Sequence, residues 1–130
     1  MKLVLLMVCL FLVVGCASKY NHHATRSPSE LNGMATSGNG DVVRLSGFLV
    51  HEKDSYGIWD DEAAFNEGAV SRCVTPLYGE SLKSAVVSAN RMTIVATGHF
   101  ISDITQGDIF FYGNCSSTGI QLSDVAVIEP

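Results

Sequence analysis

The chain has 130 residues, 47% of them hydrophobic, and carries 8 basic against 13 acidic side chains for a net charge of −5. That length holds one small domain and little more. The acidic balance argues against a nucleic-acid partner, which calls for a dense cationic footprint along the phosphate backbone.

At the amino end, Lys2 precedes an apolar run over residues 3–14, followed by Gly15 and Cys16. A helix rises about 1.5 Å per residue, so this run falls well short of the ~30 Å hydrocarbon core. It has the length of a signal-peptide core. The stretch Val13-Val14-Gly15-Cys16 resembles the lipobox of bacterial lipoproteins. The resemblance implies that residues 1–15 are a leader that is removed, Cys9 with it, and that Cys16 becomes the lipidated first residue. An ordinary secretory signal cut after Ala17 is the simpler alternative. Two or more acyl chains anchor a protein stably, where one is marginal. Ala17 and Ser18 follow the cysteine instead of the Asp that often retains such proteins at the inner membrane. The implied address is the cell envelope, at the outer membrane facing the periplasm.

Residues 16–40 read as a lipidated flexible tether. Ser, Thr, Asn and Gly dominate them, with too little apolar content to offset the entropy of ordering. His22 and His23 read as solvated side chains of that tether rather than a metal pair.

The folded domain is expected over residues 41–130. Residues 42–51 are β-rich, with Val43, Leu45 and Leu49 on one side and Arg44 and Ser46 on the other. Gly47 predicts a bulge or bend within that strand. A polar turn at residues 52–55 leads to a second strand at 56–59. Residues 60–68 fit either a loop or a short helix ended by Gly68. A third strand is predicted at 69–75, stopped by Pro76. Leu82, Ala85, Val86 and Ala89 then share one face of a short helix, with Asn90 as its terminator. Strands at residues 92–101, 108–112 and 120–128 complete the chain.

Cys73 and Cys115 remain beyond the anchor. In an oxidising compartment such an isolated pair forms a disulfide. Closing a loop of about 40 residues contributes roughly 4 kcal/mol by chain entropy. A reactive or metal-bound thiol pair is the alternative, but neither CxxC spacing nor a nearby His pattern supports it.

A bent first strand, and a helix between strands three and four, are similar to the oligonucleotide/oligosaccharide-binding (OB) fold, a small five-stranded β-barrel. The spaced text Val43, Leu45, Gly47, Leu49 and the later Val95, Gly98, Phe100 resemble secreted bacterial proteins with that barrel. A β-sandwich is the rival architecture. The resemblance places a ligand face across strands two and three and the loop between strands four and five. Tyr56, Trp59, Arg72 and Tyr78 lie in the first region, and Phe110, Phe111 and Tyr112 in the second. Stacked aromatics hold sugar rings or bases; packing of the barrel is the plainer role. Three consecutive aromatics cannot all face one side of a strand.

Asp60, Asp61, Glu62 and Glu67 lack calcium-loop spacing and read as a solvated charge run. His51 and His99 would meet only if the first and fourth strands brought them together, and no catalytic motif accompanies either. The expectation is a lipid-anchored, non-enzymatic envelope protein without cofactor or metal, a binding or structural module for a protein or glycan partner. The alternative is a small periplasmic inhibitor of a lysozyme-type hydrolase, since lysozymes are often basic. A hydrolase using His51 or His99 is a third reading.

Overall fold

The computed structural model describes residues 24–105 and 114–128. The expected leader, Cys16, the first part of the expected tether and the predicted strand at 108–112 lie outside the described residues, and so do Phe110, Phe111 and Tyr112.

The elements run β1 (Thr25–Arg26), α1 (Pro28–Met34), β2 (Val42–Glu52), β3 (Ser55–Trp59), α2 (Glu62–Glu67), β4 (Cys73–Leu77), α3 (Lys83–Ser88), β5 (Met92–Ile101) and β6 (Gly119–Val127). Strands β2, β3, β4, β6 and β5 are neighbours in that order, and β5 returns to β2. The result is a closed five-stranded barrel, mainly β, with β1 added in parallel outside the ring. Closure removes the exposed edges that an open sheet would present.

β2 is long enough to serve two neighbours because it bends. Its first part pairs with β5 from Val42↔His99 to Leu49↔Met92, and its last part with β3 from Phe48↔Trp59 to Glu52↔Ser55. Gly47 sits at the changeover. A Cβ there would lie 2.5 Å from the Trp59 carbonyl oxygen and 2.7 Å from Ile58 Cγ2, closer than any side chain tolerates. Gly98 marks the second irregularity, where the β5–β6 register shifts between Thr97 and Gly98. Its Cβ would lie 2.1 Å from the Gln121 carbonyl oxygen. Both are the glycines of the spaced motifs.

Strand alternation sorts the apolar residues into two cores. Val43, Leu45, Leu49, Ile58, Val74, Ile94, Ala96, Phe100, Ile120 and Leu122 fill the barrel. Phe48, Val50, Trp59 and Cys73 have the opposite parity and form a smaller core outside it, roofed by Ala64 and Phe65 of α2 and closed by Cys115. Full burial of each large apolar side chain contributes about 1.5–3 kcal/mol. Asp61 caps α2 by accepting the Ala64 N–H at 2.7 Å, and Gly68 ends the helix at φ 64°, so this stretch holds a short helix, Glu62–Glu67, rather than a loop.

Three expectations need correction. Residues 25–40 do not behave as a tether, because β1 pairs with β2 and α1 packs on the barrel with Leu31 fully buried. Pro28 starts α1, where a missing N–H costs nothing, and Ser27 Oγ accepts the Glu30 N–H at 3.3 Å. Asn32 then pins α1 through its amide nitrogen to the Ser71 and Cys73 carbonyls, at 2.8 and 3.0 Å.

The second correction concerns Pro76, which stands inside β4 rather than ending a strand. Residues Val70–Arg72 form a 3₁₀ turn, and the strand starts at Cys73. Pro76 is buried and pairs in parallel with Ile120 of β6. Third, the residue that takes the left-handed conformation after α3 is Arg91, at φ 59°, not Asn90. Asn90 instead accepts the His51 backbone N–H on its side-chain oxygen at 2.8 Å.

Candidate functional site: one mouth of the barrel

β3 and β4 pair only at Ile58↔Val74 and Trp59↔Cys73. Continuing that register would set Tyr56 opposite Pro76, which has no N–H to offer the ladder. The strands part there, and the seam opens into a cavity of about 450 Å³. His51, Glu52, Lys53, Tyr56, Pro76, Leu77, Tyr78 and Gln121 line it.

His51 and Tyr56 are direct partners across β2 and β3. They share strand parity with Leu49 and Ile58, so they close the end of the barrel interior. Their rings meet edge to face with centroids 5.0 Å apart, and the Tyr78 ring lies 6.0 Å from His51 and 6.4 Å from Tyr56. His51 Nε2 and the Tyr78 hydroxyl are 2.7 Å apart in a hydrogen bond. The Tyr56 hydroxyl donates to the Pro76 carbonyl across the open seam. Burial, with a smaller contribution from Tyr78, pushes the Tyr56 phenol well above the ordinary tyrosine range. Tyr56 therefore acts as a neutral donor that ties β3 to β4 where the ladder cannot.

The rim is polar. Arg91 Nε donates to Glu52 Oε1 at 2.5 Å and Arg91 Nη2 to Oε2 at 3.1 Å. This two-point contact, with help from Asn90, holds the Glu52 carboxyl below the usual carboxylate range. Gln121 Nε2 donates to the Leu77 carbonyl at 3.3 Å, and Lys53 lies on the β2–β3 turn. The arrangement is an aromatic floor with amide, carboxylate, ammonium and imidazole groups around it. Such a surface suits hydrogen-bonding ligands with an apolar face.

Of the sequence-predicted face, Tyr56 and Tyr78 come together here and Trp59 and Arg72 do not. Trp59 has 1% of its surface exposed and packs edge to face on Phe65 at 5.6 Å, in the outer core. Its parity is opposite to Tyr56, so one strand sends them to different cores. The Trp59 indole N–H has no acceptor among the described residues. Cys73 and Cys115 are joined as expected, and the bridge covers Gly57, where a Cβ would meet Cys73 Sγ at 2.4 Å.

Arg72 is engaged elsewhere. Its Nε donates to Asp60 Oδ2 at 2.9 Å and its Nη2 lies 3.5 Å from Asp61. Asp60 also accepts the Ser29 N–H at 2.8 Å, which connects α1 to the end of β3. Burial alone would raise the Asp60 carboxyl. The Arg72 guanidinium and the two Ser29 donors outweigh it and hold the group below its ordinary value. An acid whose folded pKa is depressed stabilises the fold above its unfolded value of about 4, and that stabilisation is lost as pH falls through the folded pKa. Asp60→Asn is therefore expected to flatten the loss of stability as pH falls below the ordinary aspartate value of about 4, read from urea midpoints over an acid series.

His51 and His99 are kept apart. The antiparallel β2–β5 ladder sets His99 opposite Val42, nine positions along β2 from His51, or roughly 30 Å of strand. Sequence reasoning did not place Pro76, Leu77, Gln121, Glu52 or Lys53 at the site. Pro76 inside an apolar run was the available signal, since a proline in a barrel strand marks a broken ladder.

No family model and no curated protein matches the chain. Among solved structures, OBody AM3L15 bound to hen egg-white lysozyme is similar, with a TM-score of 0.53 at 12% identity, covering 80% of this chain and 92% of that one. The fold is an OB-like barrel. OBody AM2EP06, also bound to hen egg-white lysozyme, gives 0.49 at 12% identity over 75% of this chain and 89% of its own. The asparaginyl-tRNA synthetase of Pyrococcus horikoshii complexed with asparaginyl-adenylate gives 0.45 at 11% identity, over 74% of this chain and 21% of that one. In this OB-like barrel the outer face of β3 and β4 near Trp59 is taken by the second core. The mouth at Tyr56 and Tyr78 stays open.

Proposed function

We propose that this protein is a lipid-anchored, non-enzymatic module of the bacterial cell envelope that binds a protein or glycan partner at the mouth of its OB-like barrel. The observation that carries the binding site is the seam at Pro76, where the barrel opens onto His51, Tyr56 and Tyr78. Cys16 is the proposed lipidation site, and the outer membrane facing the periplasm is the proposed address. The His51 imidazole is hydrogen-bonded to the Tyr78 hydroxyl, which fixes both rings at the mouth.

A lysozyme-type hydrolase is the second reading for the partner. The OBody neighbour is bound to hen egg-white lysozyme, and the net charge of −5 favours basic partners.

The test uses insoluble peptidoglycan and immobilised lysozyme as its two probes. The protein is expected to bind one of them, and Tyr78→Ala to weaken that binding by about tenfold or more, as loss of an aromatic anchor does. Retention on neither probe, or unchanged binding by Tyr78→Ala, overturns the reading. Separately, labelled palmitate is expected to enter the parent chain and not Cys16→Ser.

A further inference from the structure

Eight residues line the seam cavity of about 450 Å³. Small-molecule sites measure about 300–1,000 Å³, whereas a stable protein interface takes about 20–30 residues from each partner. The mouth therefore has the dimensions for a sugar-sized ligand. Its three aromatic rings lie at 87°, 50° and 70° to one another, so none stacks flat on another. Tyr78 is half-buried, and part of its ring stays open to the CH face of a pyranose. The charges at the rim are unequally engaged. Arg91 holds the Glu52 carboxylate at two points, and Asn90 Nδ2 lies 3.4 Å from it. Arg72, Lys83 and Arg91 each pair with a carboxylate, whereas Lys53 pairs with none among the described residues. Asp54 follows Lys53 on the turn and does not line the cavity. Gln121 donates its side-chain N–H to Leu77, which leaves its side-chain oxygen to accept.

We infer that the mouth takes an acidic sugar, with its pyranose ring on Tyr78, its carboxylate at Lys53 and a hydroxyl donating to Gln121. The inference rests on the mouth being the binding site and narrows its partner to a carboxylate-bearing glycan. A hydrogen bond from an ammonium to a carboxylate is about twice as strong as one between neutral groups, so Lys53 decides between charged and neutral sugars. Glu52 does not cancel that preference, because Arg91 already compensates its charge. The net charge of −5 opposes it little, since distant charges are screened over about 8 Å at physiological salt.

The test compares three probes by calorimetric titration: a galacturonic acid tetramer, its fully methyl-esterified form, and tetraglutamate. The first carries sugar rings and charge, the second rings alone, the third charge alone. The acidic tetramer is expected to bind about fivefold or more tighter than either of the others. Lys53→Gln should bring the two sugar tetramers to equal affinity, Lys53→Arg should keep the preference, and so should Lys83→Gln, whose ammonium is paired with Glu80. Lys53 is exposed on a turn, so these substitutions leave the fold intact, as matching melting temperatures would show. Equal affinity of the parent for both sugar tetramers, no binding of the acidic one, or a preference that survives Lys53→Gln overturns the inference. So does tetraglutamate binding as tightly as the acidic sugar, which marks an acidic-peptide site. If any of these results accompanies Tyr78-dependent binding of peptidoglycan or lysozyme, the acidic-sugar inference fails alone and the mouth stands as the binding site. Acidic-sugar binding that Tyr78→Ala leaves unchanged overturns both.

Discussion

Leu31→Ala is expected to destabilise the barrel by about 2–5 kcal/mol, the usual range for emptying a fully buried leucine site. In a domain of about 100 residues that corresponds to a melting temperature lower by ten degrees or more. The reason lies in how α1 is held. Leu31 is fully buried and belongs to the barrel core with Leu45, Ile58, Val74 and Phe100. Around it, Ser29 donates to Asp60, Asn32 donates to the Ser71 and Cys73 carbonyls, and Ser116 and Thr118 donate back to the Asn32 side-chain oxygen. These contacts fix the helix in place, so the hole left by the missing isobutyl group cannot collapse freely. Were residues 25–40 a tether, the same substitution would change nothing. Urea unfolding decides between the two, and a midpoint within error of the parent refutes the packed helix.

Replacing both Cys73 and Cys115 by alanine is expected to cost about 2–5 kcal/mol. The bridge spans 42 positions, for which chain entropy alone gives roughly 4 kcal/mol. It also forms the floor of the outer core. Cys73 is fully buried and Cys115 has 5% of its surface exposed, both packed with Phe48, Val50 and Trp59. Gly57 leaves the sulfurs room, so smaller side chains leave space that no neighbour fills. Trp59, the single tryptophan, sits in that core and reports on it. Loss of the bridge should shift its emission to longer wavelength as water enters, together with a lower urea midpoint. A double variant with parent-like stability and emission refutes a structural role for the disulfide.

The regular strands were legible because strand periodicity is a local property. Val43, Leu45 and Leu49 alternate with Arg44 and Ser46, and the observed strand buries the first set. The helical spacing of Leu82, Val86 and Ala89 likewise matches residues that pack on the barrel, whereas Ala85, expected on the same face, is exposed. The α1 segment was misread because a Gly-, Ser- and Asn-rich composition hides a single buried leucine. A local signal was nevertheless present, with Ser27 three positions before Glu30 and Pro28 between them. At the mouth, residue type and position single out Tyr56 and Tyr78. Trp59 shares their type but faces the outer core, because local sequence does not say which face of a strand a second core will cover.

The amino-acid sequence by itself determined the mainly β character, the bend at Gly47, the pairing of the two distal cysteines and the acidic balance, because each depends on near neighbours or on composition. Only the tertiary structure decided which residues share the mouth, that α1 belongs to the fold, and that His51 and His99 are held apart. Those facts depend on register and closure between strands distant along the chain. A one-residue slip would turn every side chain to the other face.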